Sequence, residues 1–256
     1  MQLEKPFILS AVIISSLSII VGLNIIGSSE NANLEEPKDP KVVLIVLDGS
    51  DWKPINQLRK KERVPEIEET IEEGVHGDLM TPRAFSPITW TKIATGMSEK
   101  KVNVEGWNIR FNETQRMVRR EDVKNPRIWD YLNEANYDTG IVGWLLTWPV
   151  EEVNGFMISG PMRTSDNYLV HPGEEFNQTE KNIIEDGAEW EAADMGYRRR
   201  GNVSFLALGM KNLDVTQHHL WKFVDPEPFG REISPENQKY REFVYAEYEN
   251  LDSLMS

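Results

Sequence analysis

Cysteine is absent from the 256 residues, which excludes disulfides, thiolate zinc sites and cysteine nucleophiles. Histidine is scarce, with 4 in the chain, so any metal site must be assembled from Asp, Glu, a few His and hydroxyl oxygens. Basic residues are outnumbered: 28 Lys and Arg stand against 42 Asp and Glu, a formal net charge of −14. Such a chain lacks the basic surface that displaces counterions from a phosphate backbone, so no nucleic-acid polymer is expected as a partner. The hydrophobic fraction of 39%, with 8 Trp, suffices for one sizeable core.

Charge is missing altogether from Phe7 to Ile26 (FILSAVIISSLSIIVGLNII). As a helix this run spans a hydrocarbon core of roughly 30 Å, so residues 1–27 are expected to be a single-pass membrane anchor. Lys5 before the run points to a domain on the extracytoplasmic side. A cleaved signal peptide, with Gly27 and Ser29 as small residues near the cut, is the alternative and gives a secreted protein. The Asn-x-Ser/Thr triplets beginning at Asn112, Asn177 and Asn202 fit export. Residues 28–41, polar, acidic and Pro-containing, read as a linker.

From Val42 onward, apolar runs of strand length alternate with helical periodicities. VVLIVL at Val42–Leu47 suits a strand buried on both faces. Val64, Ile67 and Ile71 predict a helix, with Pro65 in its first turn and Gly74 as its stop. A strand is expected over Gly77–Met80, and a helix from Ser86-Pro87 to Gly96. A further helix is expected over Pro126–Ala135, then strands over Thr139–Trp144, Phe156–Ser159 and Val203–Leu208. Tyr240, Phe243, Val244, Tyr248, Leu251 and Leu254 trace an amphipathic helix. This alternation predicts an α/β fold, a mostly parallel central sheet with helices on both faces. Residues 160–200, polar and charged, are expected to form an insertion or cap over the site.

Three places can carry chemistry. Asp48 leaves the first strand at its carboxyl end, where ligands of open α/β sheets gather; a turn Asp before Gly is the plainer reading. Ser86 opens a helix, where the dipole favours an anion and a metal ion lowers a hydroxyl pKa; a simple N-cap Ser explains it equally well. Asp214 and His218 are separated by one helical turn and can share one ion; a capping Asp with an exposed His is the alternative.

Their order resembles the alkaline phosphatase superfamily, in its type I phosphodiesterase/nucleotide pyrophosphatase branch. VVLIVLDGSDW, SPITWTKIATGMSEKKVNVEGW, VNGFMISG and LDVTQHHLWKFVDPE carry the resemblance over 42–256. It implies hydrolysis of phosphoesters, on a small molecule or headgroup, by a serine nucleophile through a phosphoenzyme. It also implies two divalent ions, zinc in the usual case and manganese or another divalent ion otherwise. Asp48 and Ser86 would serve one ion, Asp214 and His218 the other, and Thr89 would contact the phosphate. The family completes its sites with an Asp-His-Gly phrase and a later His, and neither follows His219 here. His76 and His171 lie upstream, in the wrong order for those roles. The expectation is therefore a chain that binds metal weakly: either the N-terminal portion of a longer or split protein, or a degenerate form acting as a binding module.

Overall fold

The computed structural model describes residues 10–14, 18–22, 42–111, 114–160, 170–172, 196 and 203–255. In chain order the strands are β1 (Ser10–Ile14), β2 (Ser18–Gly22), β3 (Val42–Leu47), β4 (Val75–Asp78), β5 (Asn108–Phe111), β6 (Thr114–Met117), β7 (Thr139–Trp144), β8 (Gly155–Ser159), β9 (Val170–His171) and β10 (Phe205–Met210). The helices are α1 (Trp52–Arg59), α2 (Pro65–Glu73), α3 (Ser86–Thr95), α4 (Ile128–Glu134), α5 (Asn212–Val224) and α6 (Gln238–Leu254). The chain divides into two compact units. The first takes in Asn24–Ile45 and Thr81–Gly209, the second Ile8–Leu23, Val46–Met80 and Met210–Ser256.

The first unit is built on a sheet in the order β3-β10-β7-β8-β9. β10, β7 and β8 run parallel, and the short β9 pairs antiparallel with β8 at the edge. Every residue of β7 is buried, as its unbroken TGIVGW pattern requires of a central parallel strand. One core cluster gathers Val142, Phe156, Ile158, Val170, Val203 and Leu208. A second is aromatic. Trp144 of β7 meets Trp90 of α3 edge-on at 5.1 Å and Trp129 of α4 at 5.5 Å, geometry that suits the ring quadrupoles. Gly209 makes room for this packing, since a Cβ there would lie 2.4 Å from the Trp90 indole. The loop after β7 is tied to α4 through Glu151, which accepts from Trp129 Nε1 at 3.0 Å and Arg127 Nη2 at 2.7 Å.

In the second unit α6 buries Val244, Tyr245, Tyr248, Leu251 and Asp252 on one face. Asp252 is there for a reason other than burial of apolar area. Helix α2 starts after Val64, which has no polar side chain to cap it. Asp252 accepts the Ile67 N–H at 2.8 Å and so caps α2 from a distant helix. Arg63 adds ion pairs to Glu242 at 2.8 Å and Glu249 at 2.5 Å.

An α/β fold with a mostly parallel sheet is present, with boundaries shifted by a residue or two. The last sheet strand, expected at Val203–Leu208, runs Phe205–Met210, and the one expected at Gly77–Met80 runs Val75–Asp78. No helix among the described residues is long and apolar enough to cross a membrane. Within the segment expected to be a membrane helix, Ser10–Ile14 and Ser18–Gly22 are antiparallel strands, with β1 also parallel to β4. Their Val and Ile content suits extended backbone. The rest of that segment, most of 160–200, and Asn112, Asn177 and Asn202 lie outside the described residues.

Two outcomes follow from this packing. Gly209→Ala is expected to lower stability by about 1–3 kcal/mol through overpacking against Trp90, read from urea denaturation. Burial holds the Asp252 carboxyl above its ordinary pKa, against the pull of the Ile67 and Glu66 N–H groups. A carboxyl raised in this way favours folding below its unfolded pKa, and that contribution is lost as pH rises through the folded value. Asp252→Asn, which keeps an acceptor for Ile67, should therefore gain stability relative to the native chain as pH goes from about 4 to 7. Urea titrations at several pH values measure the difference.

Candidate functional site

Asp48 follows β3 and is 2% exposed. Its own N–H donates to Met210 O at 2.9 Å, which continues the β3–β10 ladder to the strand end. Gly49 then turns the chain with φ +77°, a left-handed conformation that a side chain disfavours. Space forbids a side chain as well: a Cβ would lie 2.6 Å from Asp214 Cα and 2.8 Å from Asp214 N. The turn after Asp48 is thus pressed against the first turn of α5, where Asp214 sits. Asp51 closes the turn and caps α1, its Oδ1 accepting from Lys53 N at 2.7 Å.

Asp214 lies in the first turn of α5, where the helix dipole favours a carboxylate. One turn later His218 Nε2 stands 3.3 Å from Asp214 Oδ2. The His218 side chain is 72% exposed and that of Asp214 26%, so the pair is open to solvent. His219 is exposed too, but the helical step carries it off the Asp214–His218 face.

In the first unit, Ser86 is the first residue of α3 and is half-buried. The N-cap is Phe85, not Ser86: it is extended at φ −142° and ψ 115°, and its carbonyl accepts from Ile88 N and Thr89 N at 3.0 Å each. The plain capping explanation for Ser86 therefore fails by one position, and Pro87 falls inside the first turn, where a missing N–H costs nothing. Thr89 is one turn on and 4% exposed, and its Oγ1 is buried with no hydrogen-bond partner among the described residues. A buried hydroxyl left unpaired costs about 1–3 kcal/mol. Gly96 ends the helix at φ 65°.

The family model for type I phosphodiesterase / nucleotide pyrophosphatase matches residues 42–256. The chain belongs to this family. Searches of curated proteins and of solved structures returned no match.

A phosphodiesterase of this family is typically dependent on divalent metal, and the donors can be tested for fit. Asp214 and His218 bring one oxygen and one nitrogen to the same side of α5, a set that suits zinc, manganese and similar ions. No group of three or more Asp, Glu, His or Cys that could hold an ion occurs among the described residues. The pair fits part of a coordination shell and no more. His76 is exposed on β4 with its ring 6.0 Å from that of Trp52. His171 is half-buried in β9, at the sheet edge.

Sequence reading passed over Gln217, which sits inside the D-x-x-x-H phrase and is 7% exposed. Its Nε2 donates to Gly49 O at 2.6 Å. Tyr248 of α6 was read only as a core position; its hydroxyl accepts the Asp51 N–H at 2.9 Å. Burial pushes the Tyr248 phenol well above its ordinary pKa, so it stays neutral and keeps its own proton to donate.

The close approach at Gly49 can be separated from its backbone angle by comparison with Gly96. Gly96 also has positive φ but nothing within 4 Å of a Cβ. Gly96→Ala is expected to cost about 1–2 kcal/mol for its angle alone. Gly49→Ala should cost that amount plus about 1–3 kcal/mol of overpacking, both read by urea denaturation.

Proposed function

We propose that this chain is a metal-dependent phosphoester hydrolase in which Ser86 is the nucleophile and Asp48, Asp214 and His218 are metal ligands. Family membership over 42–256 is the observation that carries the reading. Ser86 supports it by its place at the start of α3, where the dipole favours the phosphoryl anion. In the first step Ser86 Oγ attacks phosphorus, the bond from phosphorus to the leaving alkoxide breaks, and the Ser86 proton passes to solvent. Water then attacks the phosphoserine, releasing the phosphate and restoring Ser86 Oγ–H. Divalent ions would supply nucleophile activation and charge neutralisation, with zinc or manganese suited to the donors. Thr89 Oγ1, which has no partner among the described residues, is the proposed polar contact for the phosphoryl group.

The uncharged run Phe7–Ile26 supports a further proposal, that the domain is exported and held at a membrane. Substrates are then phosphoester small molecules or headgroups.

A second reading rests on one observation, the absence of a three-donor metal group among the described residues. In that reading the domain binds a phosphoester without turning it over.

The full chain in detergent micelles, loaded with Zn(II) or Mn(II), should hydrolyse bis(4-nitrophenyl) phosphate. Ser86→Ala is expected to lower kcat by roughly 10³-fold or more. Metal binding with no turnover by the native chain selects the binding-module reading. Turnover unaffected by Ser86→Ala would assign the nucleophile elsewhere.

A further inference from the structure

The first unit carries a cavity that the proposed hydrolysis does not use. Its volume is about 800 Å³, within the roughly 300–1,000 Å³ of sites that take small organic molecules. Ile88, Val102 and Val104 line it and are buried, which makes its base apolar. Pro82 and Arg83 form one wall, and the loop from Ser98 to Glu105 forms the other. Neither Ser86 nor Thr89 is among the lining residues.

Both walls are held in shape by the chain itself. Lys92 of α3 donates to Thr81 Oγ1 at 2.9 Å, and Thr81 Oγ1 donates to Arg83 O at 3.3 Å, which ties the first wall to the helix. In the second wall, Lys101 N and Val102 N both donate to Ser98 O, at 2.8 and 3.2 Å. Asn103 pins the same loop: its Oδ1 accepts from Lys124 N at 3.0 Å, and its Nδ2 donates to Asp122 O. A site shaped in advance loses little of its binding energy to ordering.

Charge then selects the occupant. Residues 81–127 hold ten Lys and Arg against five Asp and Glu, in a chain whose net charge is −14. Arg116, Arg120 and Arg127 are engaged by carboxylates. Arg83 and Lys100, exposed at the cavity, have no ion pair among the described residues. Arg83 is braced instead by the Phe85 ring at 5.5 Å and by Glu105 O, 3.4 Å from its Nη2. A guanidinium has five N–H donors, so most of its capacity is left for a ligand. Glu99 and Glu105 also line the cavity, and they disfavour a ligand that carries several negative charges.

We propose that this cavity binds an organic monoanion. Its apolar body lies on Ile88, Val102 and Val104, and its one negative charge is held in the field of Arg83 and Lys100. The site needs neither a metal ion nor the Ser86 hydroxyl.

Naphthalene-2-sulfonate is the probe, because it joins a flat apolar body to one charge and has no ester to cleave. Titration calorimetry on the full chain in neutral-detergent micelles, against empty micelles, reads its binding. It is compared with 2-naphthol, the body without the charge, and with sulfate, which lacks the body. The sulfonate should bind tightest of the three. Arg83→Gln and Lys100→Gln should each weaken it about 2- to 5-fold, and the double variant by about the product of the two, with circular dichroism unchanged. Lys101→Gln removes an exposed cation that does not line the cavity and should leave binding as it was. Three results would each overturn the proposal: a sulfonate bound no tighter than sulfate or 2-naphthol, a double variant that binds it as the native chain does, or an equal loss from Lys101→Gln, which would assign the attraction to the general field of the segment.

Discussion

The contact on which the candidate site depends is between two backbones: the turn at Gly49 against the first turn of α5 at Asp214. A separation that a single Cβ would close to 2.6 Å leaves no latitude for either segment. Asp48 precedes that contact and Asp214 forms it, so the approach of these two main-chain segments is fixed by close packing. Gln217 and Tyr248 then act on the same turn from two helices, each meeting a half-buried backbone group of it.

The first unit solves a different problem with different means. Its sheet is buried enough that β7 carries no exposed residue, and its helices α3 and α4 are held by aromatic edges meeting Trp144. Gly209 is what allows Trp90 to reach the strand. Trp90 lies one turn beyond Ser86 and is one of seven buried residues of α3, so its seat against Trp144 bears on where Ser86 and Thr89 stand within this unit. A change in that seat would be felt at the start of the helix without touching either hydroxyl.

Much of this was readable before any coordinates. Val42–Leu47, the Ser86–Thr95 helix and the buried strand at Thr139–Trp144 announce themselves through local pattern, and each stands where it was expected. So did the family, through phrases spread along 42–256. Helix α1 was missed because Pro54 and the polar residues of WKPINQLR mask a helix capped by Asp51. The β5–β6 ribbon was missed because its exposed TQRM strand lacks apolar alternation. Gln217 and Asp252 were beyond local reading altogether. Their partners, Gly49 and Ile67, lie 168 and 185 residues away in the chain, and only tertiary structure shows what they meet.

The borrowed cap on α2 also has a meaning in time. Asp252 emerges from the ribosome 185 residues after the Ile67 amide that it receives. At roughly 5–20 residues per second, synthesis alone separates the two by about 10–40 s. Through that interval α2 has an open first turn and, being a short helix, little reason to persist in water. The second unit therefore cannot consolidate from its N-terminal side, and its helices become mutually supporting only once α6 has been made.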